Sequence, residues 1–258
     1  MISDTLVIVK RNLLRVLHTP QLLFFSIVQP VMFVLLFRYV FGGSIKLPGV
    51  NYVDYLLPGI MVQTTMFAGG QTAIGLAEDA KSGILDRFRS LPMARSAVLA
   101  GRTLSDSVRG LFVSILMIAV GFLVGFRFHN GIIPGISAVL VAVLFGFSVA
   151  WFFAFMGLSL RDPETAQVAS FLPIFPFVFA SSVFVRTDTL PSWLAAFARN
   201  QPITKIANAV RVLMQGHTRM ARLGITESAG TLFLQSLAWM VAMVAIFAPP
   251  AVRKYRRG

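Results

Sequence analysis

Residues 78–95 read EDAKSGILDRFRSLPMAR, a polar and charged stretch in a chain where almost everything on either side is apolar. As a helix over residues 82–91, it places Ile84, Leu85, Phe88 and Leu91 on one arc and charged or hydroxyl side chains on the rest, and Pro92 ends it. A helix of this kind lies on a membrane surface or inserts its apolar arc into a groove on a soluble partner. Composition alone favours the membrane surface, because cytoplasmic loops are commonly basic.

The composition around this stretch indicates a polytopic membrane protein. The chain has 258 residues, of which 56% are hydrophobic and 13% charged, and its mean hydropathy is +0.77. The formal net charge of +13 would suggest nucleic acid in a soluble chain, but here the basic residues gather at the ends of apolar runs, where they meet anionic headgroups. Without cysteine there is no disulfide or thiolate metal site, and His18, His129 and His217 lack ligand spacing.

The apolar runs predict an all-α membrane domain over residues 1–258 with six transmembrane helices. Each run is close to the ~20 residues that cross a ~30 Å hydrocarbon core. The first is too long for a cleaved signal, and Pro173 and Pro176 should break or kink the fifth. The predicted spans are about 22–41, 56–77, 104–126, 136–160, 168–184 and 230–248.

Residues 1–20 precede the first span and predict an interfacial amphipathic helix on the inner leaflet, followed by an elbow at Thr19-Pro20. Its apolar face consists of Ile2, Leu6, Val9, Leu13 and Leu17, and its opposite face of Arg11, Arg15 and His18.

Six spans place both termini on one side of the membrane, and the charge distribution mostly favours the cytoplasm. The basic residues that then lie inside are Lys10, Arg11, Arg15, Lys81, Arg87, Arg89, Arg95, Arg102, Arg253, Lys254, Arg256 and Arg257. Six basic residues between spans five and six argue against this topology: Arg186, Arg199, Lys205, Arg211, Arg219 and Arg222. Within that outer segment, residues 190–198 and 203–213 predict two short re-entrant or surface helices, too short to span.

Motifs for chemistry are missing from the sequence. Gly70 to Gly75 has the spacing of a phosphate-binding loop, but Leu76 and Ala77 follow where lysine and a hydroxyl are needed. Metalloprotease and nucleophile-elbow motifs are also absent, so neither catalytic residues nor a bound cofactor or metal are predicted, and an enzyme acting on lipids is disfavoured. A secondary transporter with inverted repeats should show interrupted helices in both halves of the chain. Only one predicted span is interrupted by prolines at its centre, so the sequence disfavours this class of transporter.

Polar residues inside the spans are candidates for a translocation path. Gln63, Thr64, Phe67 and Gln71 share one side of the second span with Ile60. Hydrogen bonding between helices explains them equally well. With Gln29 of the first span and three aromatic residues of the fifth, the candidate path comprises Gln29, Gln63, Thr64, Phe67, Gln71, Phe171, Phe175 and Phe179.

Asp106 of the third span is preceded four residues earlier by Arg102 and followed three residues later by Arg109. This is the spacing of a self-neutralising network on a helix surface, whose role is structural or helps to seal an inner gate.

The order of residues in the 78–95 stretch closely resembles the loop between the second and third spans of type-2 ABC exporter permeases, in the branch of daunorubicin/doxorubicin-resistance permeases and nodulation-factor and polysaccharide exporters. The residues that carry this resemblance are Glu78, Gly83 and the run ILDRFRSLP that follows it. A second match, residues 181–194 reading SSVFVRTDTLPSWL and then NQPIT from Asn200, resembles the outer segment after the fifth span, with Gln201 departing from the family's Asn-Pro form.

The resemblance implies that the loop carries coupling and gating helices that contact a separate ATPase subunit, which binds ATP and magnesium. The expected contact residues are Glu78, Asp79, Lys81, Gly83, Ile84, Leu85, Asp86, Arg87, Phe88, Arg89, Leu91 and Pro92. It also implies a dimer of this permease with itself or a homologous permease, in the plasma membrane, exporting an amphipathic drug or lipid. The alternatives are a lipid-linked polysaccharide exporter and a secondary transporter that works without an ATPase.

Overall fold

The computed structural model describes residues 2–18, 20–42, 47–90 and 95–257, and within these ranges the regular structure is helical, which confirms the predicted all-α class. Eleven α helices follow in order: α1 Ile2–His18, α2 Pro20–Leu36, α3 Tyr52–Lys81, α4 Ile84–Ser90, α5 Arg95–Leu123, α6 Ile132–Leu160, α7 Pro163–Phe179, α8 Ser192–Asn200, α9 Pro202–Gln215, α10 His217–Ala221 and α11 Ala229–Arg257. A π-helical segment, Phe37–Phe41, extends α2, and a short 3-10 turn, Thr187–Thr189, precedes α8.

Three of these helices are long and apolar enough to cross a membrane: Ala97–Leu123 within α5, Ile132–Leu160 and Ala229–Arg256 within α11. Residues Ile27–Val40 form a shorter apolar helix, which combines most of α2 with the π-helical segment. The 30-residue α3 is long enough as well, but it carries more polar residues and most of its side chains are buried by neighbouring helices.

Helix α3 is the centre of the bundle, and glycines bring it into backbone contact with α6. A Cβ on Gly157 of α6 would overlap the carbonyl of Ala73, and one on Gly69 of α3 would overlap the ring of Phe153. Gly146 faces Thr65 in the same seam, where a Cβ would lie 3.3 Å from the threonine Cβ. Small residues of this kind allow membrane helices to approach closely, so α3 and α6 pack as one unit.

The predicted end of the fifth span was wrong by more than one helical turn. This span was predicted at 168–184, but α7 begins at Pro163 and ends at Phe179, where the N–H of Ala180 donates to the carbonyl of Pro176. Of the predicted break or kink at Pro173, a break does not occur, because the helix continues through this residue. The last helix continues through Pro249 and Pro250 to Arg257, so the predicted span 230–248 lies within it.

The predicted N-terminal helix is confirmed as α1, and its interfacial position stays a prediction. Ile8 and Asn12 are the side chains that pack inward, and a Cβ on Gly101 of α5 would overlap Ile8. Leu6, which was assigned to the apolar face, is 57% exposed. The elbow residue Thr19 lies outside the described residues.

The bundle has two polar ends, named here after helices that lie at them. The α4 end holds α1, α4, the start of α5 and the last turns of α11, because Ile8 packs at Gly101 while Tyr255 and Leu85 share one apolar cluster. The α9 end holds residues 180–228. Both described chain ends therefore lie at the α4 end.

The two short helices predicted in the outer segment are confirmed as α8 and α9, and they differ in burial. Helix α9 buries ten of its fourteen residues against the bundle, whereas α8 buries only Ala195 and Ala198. Gln201 separates them: its side chain accepts from the N–H of Ile203 at 3.2 Å and donates to the carbonyls of Phe177 at 2.8 Å and Ala180 at 3.1 Å. Gln201 therefore caps α9 and ties it to the end of α7.

Candidate functional site

A cavity of about 560 Å³ lies inside the bundle between α2, α3, α5, α6 and α7. Six of the eight predicted path residues line it: Gln29, Gln63, Thr64, Phe67, Gln71 and Phe171. Phe175 and Phe179, both within the described part of α7, are not among its lining residues. The polar arc of α3 therefore faces a cavity between helices that is partly open to the outside of the bundle.

The polarity of the cavity changes along its length. Toward the α4 end its wall contains Thr72, Asp106 and Gln167, whereas toward the α9 end it contains Ile60 and Val113. Between them, Gln63 is buried, and its side-chain oxygen accepts no hydrogen bond from any described residue. A buried amide oxygen in that position is an acceptor for water or for a bound molecule.

The predicted network of Asp106 lies at the end of the cavity that is nearer to α4. Asp106 lies 3.4 Å from the Nη2 of Arg109 and 3.6 Å from the Nε of Arg102, and it accepts a hydrogen bond of 2.7 Å from the hydroxyl of Thr72. Arg102 also donates from Nη1 to Asp79 at 3.3 Å, which brings α3 and α5 together.

Gly75 permits this arrangement, because a Cβ at that position would overlap the guanidinium of Arg102. Asp79, which was predicted on the ATPase-contact surface, is buried and faces Arg102. Among the described residues, no three His, Asp or Glu side chains come close enough to hold a metal ion.

Phe175 and Phe179 belong to an aromatic stripe on the outside of α7. The ring centroids of Phe171 and Phe175 are 5.6 Å apart, and those of Phe175 and Phe179 are 5.5 Å apart. The stripe continues from Phe179 to Phe184 at 5.5 Å and from Phe184 to Phe37 at 4.6 Å. Because the three rings on α7 are partly exposed, the stripe is a surface that joins α7 to the end of α2.

Helix α4 turns much of its apolar arc toward this chain itself. Leu85 is 3% exposed and packs in a cluster with Leu76, Leu99 and Tyr255, and Phe88 packs against the same cluster. The guanidinium carbon of Arg11 lies 4.7 Å from the centre of the Phe88 ring. Leu91, Pro92 and the side chain of Arg89 lie outside the described residues.

The apolar arc of α4 was predicted from the period of the helix. The structure shows that helices α3, α5 and α11 cover this arc. Exposed side chains remain at Glu78, Lys81, Asp86 and Arg87, so these are the predicted contact residues that a partner can reach. Gly83 begins the turn into α4 with φ +71°, a conformation that favours glycine.

A second connection at the α4 end lies beside this turn. Asp162 caps α7 by accepting from the N–H of Thr165 at 3.0 Å, and it also accepts from the ammonium of Lys81 at 2.9 Å. The Lys81 ammonium, followed by the bonds from Thr165, lowers the pKa of Asp162 to about 2. The connection between α6 and α7 is thereby held against the end of α3.

At the α9 end the structure contains a buried arginine, which in the sequence counted only as one of six basic residues between the fifth and sixth spans. Arg211 is 0% exposed, and its Nε donates to the carbonyl of Tyr55 at 2.8 Å. Its Nη2 donates to the carbonyls of Ser182 at 2.7 Å and Val183 at 2.9 Å, and its Nη1 donates to Ser182 Oγ at 2.9 Å. The guanidinium carbon also lies 3.7 Å from the centre of the Tyr55 ring. Arg211 therefore fixes the turn after α7 to α3 and α9.

A buried carboxylate, Asp54, was also missed. It accepts from the N–H of Arg127 at 3.2 Å, and its Oδ2 lies 3.7 Å from His129 Nδ1 and 3.8 Å from Arg219 Nη2. Asp54 precedes the predicted second span by two residues, and nothing in its local pattern indicates burial.

The six basic residues that argued against the topology are largely accounted for at this end. Arg186 pairs with Asp188, Lys205 pairs with Glu227 at 2.6 Å, and Arg219 faces Asp54. Arg211 is satisfied by carbonyl and hydroxyl oxygens, which leaves Arg199 and Arg222 on the exposed surface.

Comparison with known proteins adds a family relationship. Residues 3–214 match the profile of the ABC-2 type transporter family. The chain is 33% identical over 255 residues to a daunorubicin resistance ABC transporter permease protein of Streptomyces coeruleorubidus, with 99% of this chain and 87% of the relative covered. It is 24% identical over 233 residues to a probable doxorubicin resistance ABC transporter permease protein of Mycobacterium tuberculosis, covering 90% of this chain and 80% of the relative. An inner membrane transport permease of Escherichia coli is 24% identical over 198 residues, which cover 72% of this chain and 74% of the relative.

Proposed function

The chain belongs to the ABC-2 type transporter family, as a permease of the drug-resistance exporter branch, and from that premise we propose that it exports an amphipathic, drug-sized molecule through the cavity beside α3. ATP hydrolysis is supplied by a separate nucleotide-binding subunit that carries ATP and Mg²⁺. The substrate enters from the cytoplasm or the inner leaflet.

The cavity is the observation that carries this proposal. Its volume of about 560 Å³ is within the range of pockets that hold drug-sized ligands. One wall is polar and the opposite end is apolar, which suits a molecule with a polar and an apolar part. Gln63 and Gln71 offer hydrogen bonds, and Phe67 and Phe171 offer aromatic faces.

A topology of six spans with both termini in the cytoplasm is consistent with this function. The spans are α2 with its π-helical extension, α3, α5, α6, α7 and α11, and an even number of crossings agrees with two chain ends at the α4 end. Local pairing of the basic residues at the α9 end supports the placement of that segment outside, because each pair reduces the net charge to be moved across the membrane.

A dimer, of this permease with itself or with a homologous permease, is the proposed working unit. The aromatic stripe of α7 joins Phe37 and Phe33 of α2, so that one continuous apolar surface lies beside the cavity. Single cysteines placed near Phe33 and Phe175 in this cysteine-free sequence should crosslink between subunits. If native membranes gave no crosslinked dimer, this assignment would be abandoned.

The ATPase contact is proposed on the exposed side of the α3–α4 turn and on the adjacent α6–α7 connection. Lys81 and Asp162 join these two segments into one charged surface, which also presents Asp86, Arg87 and Glu164. Leu85 and Phe88 hold α4 in place from behind.

The test is transport by the permease co-expressed with its ATPase, using a matched pair of substitutions on α7. Phe171 lines the cavity, whereas its neighbour Leu172 is exposed on the outside of the helix. Phe171→Ala should raise the concentration of substrate needed for half-maximal ATP hydrolysis about tenfold, since an aromatic contact of more than about 1 kcal/mol is lost. Leu172→Ala should leave it unchanged.

Equal effects of the two substitutions would remove the cavity from the transport path. Transport that persists without any ATPase would instead favour a secondary transporter. Surface expression of both variants controls for folding.

A further inference from the structure

A second cavity, of about 380 Å³, lies at the α9 end and is separate from the cavity inside the bundle. Its walls come from the turn after α7, from α8 and α9, and from the loop of residues 223–227 that precedes α11. The export function proposed above makes no use of it.

Charged side chains give this cavity one excess positive charge. Arg186 pairs with Asp188, and Lys205 pairs with Glu227 at 2.6 Å. Arg199 also lines the cavity and makes no ion pair with any described residue. An anion that enters the cavity can therefore bind Arg199 without displacing a carboxylate of the protein.

Neutral hydrogen-bonding groups cover much of the remaining wall. Thr204, Asn208 and Thr226 contribute hydroxyl and amide groups, and Ser182 lies at the back, where the buried Arg211 holds both Ser182 and Asn208. Carboxylates that are already paired, such as Glu227, can still accept hydrogen bonds from hydroxyl groups. The wall thus suits a ligand with one negative charge and several hydroxyl groups.

Helix α8, beside the cavity, has exposed aromatic residues of the kind found at membrane interfaces. Trp193 is 74% exposed and Phe197 is 43% exposed, both on the helix that carries Arg199. Exposed tryptophan on a short amphipathic helix is typical of the headgroup level, where one side of the helix meets lipid and the other meets polar groups.

We propose that the cavity behind α8 binds the headgroup of an anionic phospholipid of the phosphatidylglycerol class, with Arg199 as its phosphate ligand. The hydroxyl groups of the headgroup bond to the polar wall. The assignment to the outer leaflet rests on the proposed topology, whereas the chemistry of the site does not. A choline headgroup should bind more weakly at the same position, because its trimethylammonium group has no hydroxyl groups that could bond to the polar wall.

Native mass spectrometry of the purified full chain in detergent tests the site with phosphatidylglycerol and phosphatidylcholine as probes. The wild type should retain one phosphatidylglycerol in preference to phosphatidylcholine. Arg199→Gln should weaken that retention about tenfold, the loss expected for one charge-assisted contact. Arg222→Gln is the matched control, since Arg222 is an exposed cation of the same segment outside the cavity, and it should bind like the wild type.

Equal retention of both lipids, or equal loss in both variants, would overturn the proposal. A free anion is distinguished from a lipid headgroup by adding inorganic phosphate. If phosphate raises the thermal midpoint of the wild type but not that of Arg199→Gln, and no lipid is retained, the site binds free phosphate and the headgroup assignment is wrong.

The leaflet is tested separately from the chemistry. Thr226 is exposed at the rim, and Thr226→Cys would be the only cysteine of the chain. An impermeant maleimide should label it from outside intact cells, and prior addition of phosphatidylglycerol to the purified variant should slow labelling. Labelling from the cytoplasmic side only would reject the topology of the proposed function and leave the lipid site standing, whereas loss of lipid binding alone would leave the export function standing.

Discussion

At the α4 end of the bundle, the exposed ammonium of Lys81 at the end of α3 pairs with the carboxylate of Asp162, which caps α7. At the α9 end, the buried Arg211 faces carbonyl, hydroxyl and amide oxygens and the ring of Tyr55. Ion pairs near a surface can exchange partners or water at little cost, whereas a buried guanidinium held by several backbone carbonyls cannot leave them without a large penalty. The comparison indicates that the turn after α7 is fixed to α3 and α9 by Arg211, whereas the connection between Lys81 and Asp162 is adjustable.

Arg211→Met is expected to have the largest effect of any substitution that tests this comparison. It removes the donor of the buried Val183 carbonyl, at about 1–3 kcal/mol for an unsatisfied group, together with four further hydrogen bonds to Tyr55, Ser182 and Asn208. We expect loss of most folded protein, measured as monodisperse yield and thermal midpoint after extraction. Arg211→Lys should rescue little, because an ammonium cannot reproduce the planar fork.

Arg222→Met is the control for that experiment, because it removes an exposed arginine from the same segment. A normal thermal midpoint for Arg211→Met would show that the α9 end is not fixed by this side chain.

Leu85→Ala should have the next largest effect, because it opens space in the cluster beneath α4. Truncation of a buried leucine commonly costs about 2–5 kcal/mol. The variant should have a lower thermal midpoint and should also retain less ATPase on copurification, since α4 loses its support. Arg87→Ala, on the exposed side of the same helix, should keep the midpoint and lose ATPase severalfold.

Leu85→Ala tests the packing that supports α4, and Arg87→Ala tests the contact between α4 and the ATPase. If Arg87→Ala and Asp86→Ala both retain normal amounts of ATPase, the exposed side of α4 is not the contact surface. The effects of Phe88→Ala on thermal midpoint and ATPase retention should lie between those of Leu85→Ala and Arg87→Ala, because Phe88 is half-buried beneath Arg11.

Gly83→Ala and Gly83→Val should each cost about 1–2 kcal/mol, the usual penalty for a side chain in the left-handed region. A Cβ at this position has no neighbouring atom within 4 Å. The two variants should therefore lose similar amounts of stability, because a steric clash does not add to the backbone penalty. Equal shifts in thermal midpoint would assign the requirement for glycine to backbone conformation. A much larger effect of valine on ATPase binding alone would instead indicate that the partner approaches the turn closely.

The smallest effect concerns pH. Because the pKa of Asp162 is lowered to about 2, its pairing stabilises the folded chain above the ordinary carboxylate pKa of about 4. That contribution is lost as the pH falls through 4 toward 2, and it is constant at neutral pH. The difference in thermal midpoint between wild type and Asp162→Asn should therefore be the same at pH 6 and pH 8. A difference that grew over this interval would contradict the lowered pKa.

The sequence predicted the helices well because membrane-length apolar runs are a strong signal, and the polar arc of α3 because its amides recur at helical spacing. Gln63 and Phe67 accordingly line the cavity. The period of a helix tells which side is apolar, but it does not tell what covers that side. Leu85 was for this reason assigned to a partner, and its neighbours in the structure are Leu76, Leu99 and Tyr255 of the same chain.

Arg211 was missed for a related reason. It lies between Val210 and Val212 on an amphipathic helix that also carries Lys205, so the local pattern resembles an ordinary surface helix. Its burial depends on the carbonyls of Ser182 and Val183, which lie in the turn that follows α7. These partners are 28 and 29 residues away in the sequence, so the local pattern around Arg211 does not reveal them.

The glycine seam between α3 and α6 has a mechanical consequence for transport. Backbones in contact through Gly69 and Gly157 cannot slide past one another by small steps, since each step would drive a ring or a carbonyl into the opposite helix. The two helices thus behave as one strut, and the strain of each export cycle has to be taken up at the joints with α2, α5 and α7. A displacement of α3 at the α4 end should therefore be passed on to the α9 end by both helices together.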